Sequence, residues 1–542
     1  MCGIFCACTL ESQKHQLLPL FESIKPILHR RGPDYQGYEI VHNSDHTLFF
    51  GASVLWMQGK NLTKQPVTDD QSVFLYNGDI FGGVYKPDGD TAVFHDTLKK
   101  CVDINILSKI QGPYAFIYFD KLKSKLYFCR DLYGRRSLLV GFKDQMLILS
   151  SVAKRSLFCC IEVPAIGIFV YDLKSKDLCL IPWEFRHFNF FEKVAELERH
   201  LNKPVSLLGN SIKEIKCSTP TDSTVVFLEQ LSCNKNNVFE KILENPNWLQ
   251  NIRRLKMLLE KAIEVRVKAQ LSCCRNCYGT TNTCSHCTVG VLFSGGIDCT
   301  ILTLLLDQYI DKNRPIDLLN VAFGTKVPDR QTGMQSFEEL KRLRPNRNWN
   351  FMELNVEQDE LNEKREQFVA DLIYPLNTIL DDSLGCALWF ASRGQTDSYT
   401  SSCRVLVTGM GADELFGGYT KHRNSFKRLG WKGLHQSLEE DWQNISFRNL
   451  ARDDRVISDH GRQLRTPYLD EDVVQFVRNL SCLERTYPSD CLPQGVGDKI
   501  LLRSLGYYLG LKEAATYKKR ALQFGSRIAN SKEKAYEVSP RL

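Results

Sequence analysis

No part of this sequence approaches the ~18–20 consecutive apolar residues of a membrane-spanning helix. Its opening, Met1-Cys2-Gly3-Ile4-Phe5-Cys6-Ala7-Cys8, lacks the basic start and the roughly 7–15-residue apolar run of a secretory leader, and polar Glu11 to His15 follows closely. Charge of one sign is scarce too. The 70 Lys and Arg against 63 Asp and Glu leave +7 over 542 residues, too little to point to nucleic acid or a membrane surface. No repeat of fixed period occurs, and no GxxxxGK[ST] loop of the kinase and GTPase kind. With 43% hydrophobic and 25% charged residues, a largely disordered chain is excluded as well. These absences leave a globular chain expected in the cytoplasm, two to four domains at ~100–200 residues each, with disulfides not expected. Against that background 20 cysteines are many. Most read as small buried apolar side chains; Cys2 and a cluster at 273–287 call for another account.

Residues 1–202 hold short aromatic and β-branched runs separated by turns, among them Val73–Tyr76, Ala115–Phe119 and Ile166–Val170, the pattern of an antiparallel sheet system. From 203 to 245 periodicity fades and Ser, Thr, Asn and Pro accumulate, which predicts a linker. Residues 246–542 then open on a basic amphipathic helix (Leu255, Leu258, Leu259, Ala262, Ile263). The apolar strand Val289–Phe293, a glycine turn, a helix from about Thr300 and a strand at Leu318–Phe323 follow, as in a parallel α/β sheet.

A cysteine at position 2 has a specific use. If Met1 is removed, the freed α-amino group, with an ordinary pKa of about 7.7–8.0, can serve as general base for the thiol of the same residue. Cys6 and Cys8 cannot do this. Arg30-Arg31-Gly32-Pro33-Asp34, Gln65-Pro66, Asn77-Gly78-Asp79, Gly89-Asp90, and Arg130-Asp131 with Gly134-Arg135 follow in order. Together they resemble the glutaminase domain of class II glutamine amidotransferases. The resemblance implies an N-terminal-nucleophile (Ntn) hydrolase αββα sandwich. The Asn77 side-chain amide and Gly78 N–H would form the oxyanion hole, and Asp79 and Asp90 would bind the glutamine α-ammonium. The family's arginine for the glutamine α-carboxylate is absent, because Val54-Leu55 stands where Arg-Leu is usual. Losing that charge-assisted contact removes ~1.5–3 kcal/mol of binding.

In the second half, Ser294-Gly295-Gly296-Ile297-Asp298 joins strand to helix. Two glycines admit a polyphosphate, the helix start offers N–H donors, and Asp298 can hold Mg²⁺. The loop resembles that of ATP-pyrophosphatases, which adenylate an oxygen and release pyrophosphate. Cys299 replaces their usual serine. Thr408-Gly409-Met410-Gly411-Ala412-Asp413-Glu414-Leu415-Phe416-Gly417-Gly418-Tyr419 is similar to the matching segment of asparagine synthetases, as are Arg465 to Asp470, Lys499 with Leu501 to Arg503, and Lys518 to Gly525. The resemblance implies an adenine nucleotide α-hydrolase-like domain. Ser294, Gly295, Gly296, Asp298, Gly409 and Gly411 would bind ATP, and Asp298 and Asp413 would bind Mg²⁺. Lys519, or Arg520 beside it, would neutralise transition-state charge. Met410 replaces an acidic residue that assists ammonia attack and cannot itself accept a proton. The altered motifs are similar to a eukaryotic branch, the asparagine synthetase domain-containing proteins. The function implied is glutamine- and ATP-dependent amidation of a carboxylate, aspartate foremost. The alternatives are an adenylating ligase for another acceptor, or an ATP-binding scaffold that has lost a reaction. The expected partners are these small molecules, with neither nucleic acid nor membrane.

The insertion at 272–288 carries Cys274-x2-Cys277 and Cys284-x2-Cys287. Four thiolates suit structural Zn²⁺. Their separation is shorter than the usual 12–20 residues between knuckles, and an exposed cysteine-rich loop reads equally well.

Overall fold

The computed structural model describes residues 2–83, 89–100, 102–184, 189–209, 218–233, 237–281, 283–493, 495–529 and 533–542. Two sheets stack in the first part. One has the order Cys160–Glu162, Leu139–Lys143, Met146–Ser150, Gly3–Leu10, His46–Val54, Tyr35–Asn43. The other runs Val205–Leu207, Leu178–Pro182, Gly167–Asp172, Lys125–Arg130, Tyr114–Asp120, Ser72–Gly78, Val67–Thr68. Side chains alternate between the faces of a strand, and this sorts the residues into layers. Ile4, Cys6, Cys8, Leu48 and Phe50 meet Val73, Leu75, Ile117 and Phe119 between the sheets. Phe5 and Ala7 face outward onto Phe21, Ile24 and Leu28 of the helix Leu17–Arg31. On the far side Phe74, Tyr76 and Phe116 pack on Phe94 and Leu98 of the helix Asp90–Lys100. The result is the αββα sandwich of Ntn hydrolases.

The second part is an all-parallel five-stranded sheet in the order Trp349–Val356, Ile316–Phe323, Val289–Leu292, Val405–Val407, Gln463–Arg465. Its central strands are buried on both faces, as expected where helices cover both sides. Pro246–Lys268, Ile297–Leu306 and Ile500–Tyr508 lie on one face, and Ile379–Arg393 on the other. The first of these helices starts cleanly: Pro246 occupies its first turn, and the Asn245 side chain accepts from the N–H groups of Asn247 (3.1 Å) and Trp248 (3.3 Å). The chain winds one way from Val289–Leu292 and then returns to its other side with Val405–Val407. Loops leaving the carboxyl ends of those two strands therefore diverge around a crevice, the standard ligand position in an open α/β sheet.

The polar stretch 203–245 departs from the expected linker. Val205–Leu207 extends the second sheet in parallel with Leu178–Pro182, and helices form at Asp222–Cys233 and Val238–Glu244. Leu228, Leu231, Val238, Phe239 and Ile242 supply enough apolar surface to join the core around Trp248 and Leu255, despite the polar composition between them. Residues 210–217 and 234–236 of the stretch lie outside the described residues.

The two parts share a core. One apolar cluster runs from Phe5, Phe21 and Leu28 to Leu372, Trp389 and Ile457. Beside it a buried chain of alternating charges crosses the boundary. Arg31 pairs with Asp454 (2.8 Å), Asp454 with Arg136 (3.1 Å), Arg136 with Asp79 (3.0 Å), and Asp79 with Arg465 (3.4 Å). No helix among the described residues is long and apolar enough to cross a membrane.

Candidate functional sites

Cys2 stands at the head of Gly3–Leu10, between the sheets and almost fully buried. Its backbone N–H donates to Asn77 Oδ1 at 3.0 Å, which aims the other end of that amide, Nδ2, into the interior; this buried donor has no hydrogen-bond partner among the described residues. A buried amide left unsatisfied costs roughly 1–3 kcal/mol, so the vacant donor marks a place for an acceptor. Gln65 closes the other side. Its Nε2 lies 3.6 Å from Cys2 Sγ and donates to Tyr76 O at 3.0 Å, while its Oε1 accepts from Tyr76 N–H at 2.7 Å. Burial pushes the Cys2 thiol up, opposed by positive charge at the chain start, a backbone hydrogen bond from Leu55, and Arg31. The cavity beside Cys2 holds only about 30 Å³, space for about one water, with Val54, Trp56, Gln65, Gly78, Asp90 and Gln463 in its walls.

Of the two acidic residues expected to receive an α-ammonium, Asp90 lines this cavity at the start of its helix. Asp79 does not. Its carboxylate is engaged by Arg136 and Arg465, accepts from Gln58 Nε2 at 2.9 Å, and is also bonded by Gln463. Burial alone would raise its pKa, but Arg465 and Arg136 outweigh burial and hold the carboxyl below its ordinary range. Asp79 thus belongs to the charge chain between the two parts, a role set by Arg136 and Arg465, far away in sequence. Val54 faces the cavity as an apolar wall.

The crevice of the parallel sheet holds a cavity of about 590 Å³. Ser294, Gly296, Asp298, Gly409, Gly411 and Asp413 line it, so both loops singled out in the sequence meet there. Gly295 does not line it. It sits beneath the turn at φ +80°, where a Cβ would lie 2.5 Å from Thr332 O, and so it permits the turn without facing the ligand. A Cβ on Gly409 would come within 2.9 Å of the Asp298 Cβ; the missing side chain lets the loops approach. Cys299 is tied back, its thiol donating to Gly296 O at 3.2 Å.

Two cations organise the acidic centre. Lys499 Nζ lies 2.6 Å from Asp298 Oδ2 and 2.5 Å from Asp413 Oδ1, and Lys519 Nζ lies 2.7 Å from Asp413 Oδ2. Arg520 turns instead to Thr332, donating to its Oγ1 at 3.2 Å. Burial would push the Asp413 carboxyl up, but Lys499 and Lys519 hold it well below the usual range. Lys519 is lowered by burial and raised further by Asp413 and Asp298, and stays charged. In the sequence Lys499 is marked only by lying in a segment similar to asparagine synthetases. Its signal is conformational: a non-glycine residue at φ +56° capping the helix Ile500–Tyr508, its N–H donating to Thr486 Oγ1 at 3.2 Å. Two hard carboxylates converging on one ammonium are a donor set that fits Mg²⁺.

Two further acids line this cavity. Burial, reinforced by Asp413, lifts Glu414 to about 7, although Tyr419 Oη donates to its Oε1 at 2.7 Å. Burial lifts Asp329 to about 7 against the pull of Lys519 and Arg520. Met410 faces the same space.

The cysteine insertion differs from expectation in one member of its cluster. Cys274, Cys277 and Cys284 converge with His286, while Cys287 turns into the core with its thiol donating to Val289 O at 3.2 Å. Residue 287 leads directly into the strand Val289–Leu292, which fixes its direction. Asn282 lies outside the described residues.

An N-terminal-nucleophile sandwich joined to a nucleotide-type α/β domain defines the class: an amidotransferase unit coupled to a synthetase unit. Comparison with known proteins agrees. The glutamine amidotransferase domain family matches residues 1–165, and the asparagine synthase family matches residues 282–432. The asparagine synthetase domain-containing protein CG17486 of Drosophila melanogaster is 38% identical over the whole of both chains, and asparagine synthetase domain-containing protein 1 of Gallus gallus is 36% identical, again over all of both. The asparagine synthetase domain-containing protein YML096W of Saccharomyces cerevisiae is 29% identical over 96% of this chain and 90% of its own. The chain belongs to the asparagine synthetase domain-containing family.

Proposed function

We propose that the protein transfers the amide nitrogen of glutamine to a carboxylate activated by ATP, with aspartate as the leading acceptor. The observation that carries this reading is the pairing, in one chain with a shared core, of a buried thiol beside a vacant amide donor with a crevice where Asp298, Asp413, Lys499 and Lys519 meet. Once Met1 is removed, the Cys2 amine takes the thiol proton and the sulfur attacks the glutamine Cδ. Asn77 Nδ2 and Gly78 N–H receive the oxyanion, ammonia leaves, and water releases glutamate from the thioester. Asp90 would hold the substrate's α-ammonium.

In the crevice an acceptor carboxylate oxygen attacks the α-phosphorus of ATP and pyrophosphate departs, giving an acyl-adenylate. Ammonia then attacks the acyl carbon, and AMP leaves. Asp298 and Asp413 would hold Mg²⁺, which neutralises phosphate charge when bound. Lys519 and Lys499 supply fixed positive charge, which is worth most where water is excluded. Met410 cannot take the proton shed by attacking ammonia. Glu414, lining the same cavity with a pKa of about 7, is suited to do so. Met410 also favours a second reading, adenylation of a different acceptor acid. The deciding assay supplies ATP and glutamine with aspartate or other carboxylic acids, and measures AMP, glutamate and amide separately. Asparagine whose formation needs Cys2 supports the first reading; pyrophosphate release only with another acid supports the second. Binding of ATP with no turnover on any acid would refute both and leave a nucleotide-binding scaffold.

A further inference from the structure

We propose that Cys274, Cys277, Cys284 and His286 hold one structural Zn²⁺, and that the metal-held loop clamps the wall of the Cys2 cavity through Tyr278. Each of the four residues offers one donor atom, and all four atoms lie within 4.8 Å of one another. His286 Nδ1 is 3.3 Å from Cys277 Sγ and 3.7 Å from Cys274 Sγ. A tetrahedral site with Zn–S of ~2.3 Å and Zn–N of ~2.0–2.1 Å places its ligands about 3.6–3.8 Å apart, so the donors need only small shifts. The Cys274 N–H already donates to Cys284 Sγ at 3.2 Å, the kind of outer contact that orients a metal thiolate. Cys274 is fully buried and His286 exposed, which leaves an entry path on the outer side.

The loop is anchored beneath and presses on something above. Arg275 N–H donates to Ser402 O at 3.1 Å, and Ser402 Oγ donates to Cys287 O at 2.9 Å. Between the two knuckles Tyr278 meets Trp56 edge-on, centroids 5.6 Å apart, and lies 5.2 Å from the Arg404 guanidinium. Arg404 in turn pairs with Asp34 and donates to Trp56 O at 3.0 Å, while Trp56 N–H donates to Asp34 Oδ2 at 2.7 Å. Trp56 lines the cavity beside Cys2. A loop of small polar residues with little apolar core has few means of holding Tyr278 in place; a metal crosslink supplies one.

Two measurements on the full chain test this, and neither needs turnover. Elemental analysis should find ~1 zinc per chain, falling below ~0.2 in Cys277→Ser and His286→Asn and unchanged in Cys491→Ser, an exposed cysteine elsewhere. Hydrogen exchange at residues 54–58 should quicken at least ~10-fold when a chelator removes the metal, and recover on adding ZnCl₂, while 294–298 stays unchanged. Tyr278→Ala should keep the zinc and show the faster exchange. A wild-type chain that neither carries nor takes up Zn²⁺ overturns the site, as does a Cys274–Cys277 disulfide in its place. Equal exchange at 54–58 with and without metal overturns the clamp. The kinetic consequence, a raised KM for glutamine on metal loss, rests on reading the Cys2 cavity as a glutaminase site. Absence of glutamine hydrolysis in every form would count against that reading and leave the metal result standing.

Discussion

The two centres of this molecule are built on opposite plans. Around Cys2 the space is about 30 Å³, walled by a mixture of apolar, amide, hydroxyl and acidic side chains, and is smaller than a glutamine. In the sheet crevice the space is about 590 Å³ and its charges are in place before any ligand arrives. Preorganised charge lowers the cost of reaching a transition state, whereas a cavity smaller than its ligand makes enlargement part of binding. The departures from family pattern fall differently too. Under the proposed function, Val54 would withdraw a substrate contact from the small cavity, while Met410 would withdraw a proton acceptor from the large one, where Asp298, Asp413, Lys499 and Lys519 remain.

Four experiments would break or sharpen that contrast. Cys2→Ala should lower glutamine-dependent turnover by roughly 10³-fold or more while ammonia-dependent amidation persists; equal loss with both nitrogen sources would show that the centres are not separable. Lys519→Met should slow acceptor-dependent ATP–pyrophosphate exchange by about 10²–10³-fold and leave glutamine hydrolysis alone. Asp454→Ala, which takes from buried Arg31 its paired carboxylate and from Arg136 one of its two, should cost about 3–5 kcal/mol in urea unfolding and depress both activities together. The smallest effect is expected from Glu414→Gln, a loss of about 10²-fold in amide formation with adenylation retained. Amide formation in the unmodified protein should rise with pH as Glu414 ionises near 7, and this variant should flatten that limb. The stability linkage runs the other way. A carboxyl raised in the folded state binds its proton more tightly there than in the unfolded chain, so Glu414 makes folding less favourable as pH rises from about 4.5 to about 7.

The features legible in the sequence were local ones. Strand, glycine turn and helix around Ser294 to Asp298 follow from the local pattern, Cys2 stands out by a chemistry open only to a second-position thiol, and Asn77-Gly78 was legible only through the family resemblance. What stayed hidden depends on contacts between distant segments. Asp79 looked like a ligand residue because nothing near it reveals that Arg465, 386 positions later, will take up its charge. Lys499 lacks meaning until the ends of two strands place Asp298 and Asp413 on either side of it. His286 displaced Cys287 because the direction of the following strand decides which of two adjacent side chains faces the loop. The helices within 203–245 were obscured by composition, since a handful of apolar residues at suitable spacing outweighed the polar residues between them.

The apolar cluster shared by Phe5, Trp389 and Ile457 has a consequence for how the protein comes apart. A boundary sealed by core side chains and by a run of ion pairs that neither half can satisfy alone behaves as an interior. Heat or denaturant should therefore melt the molecule in one cooperative step. A protease nick near residue 220 should give two pieces that still travel together through a sizing column. Either half produced separately would expose Arg31 and Asp454 to water and lose the surface against which its own layer is packed.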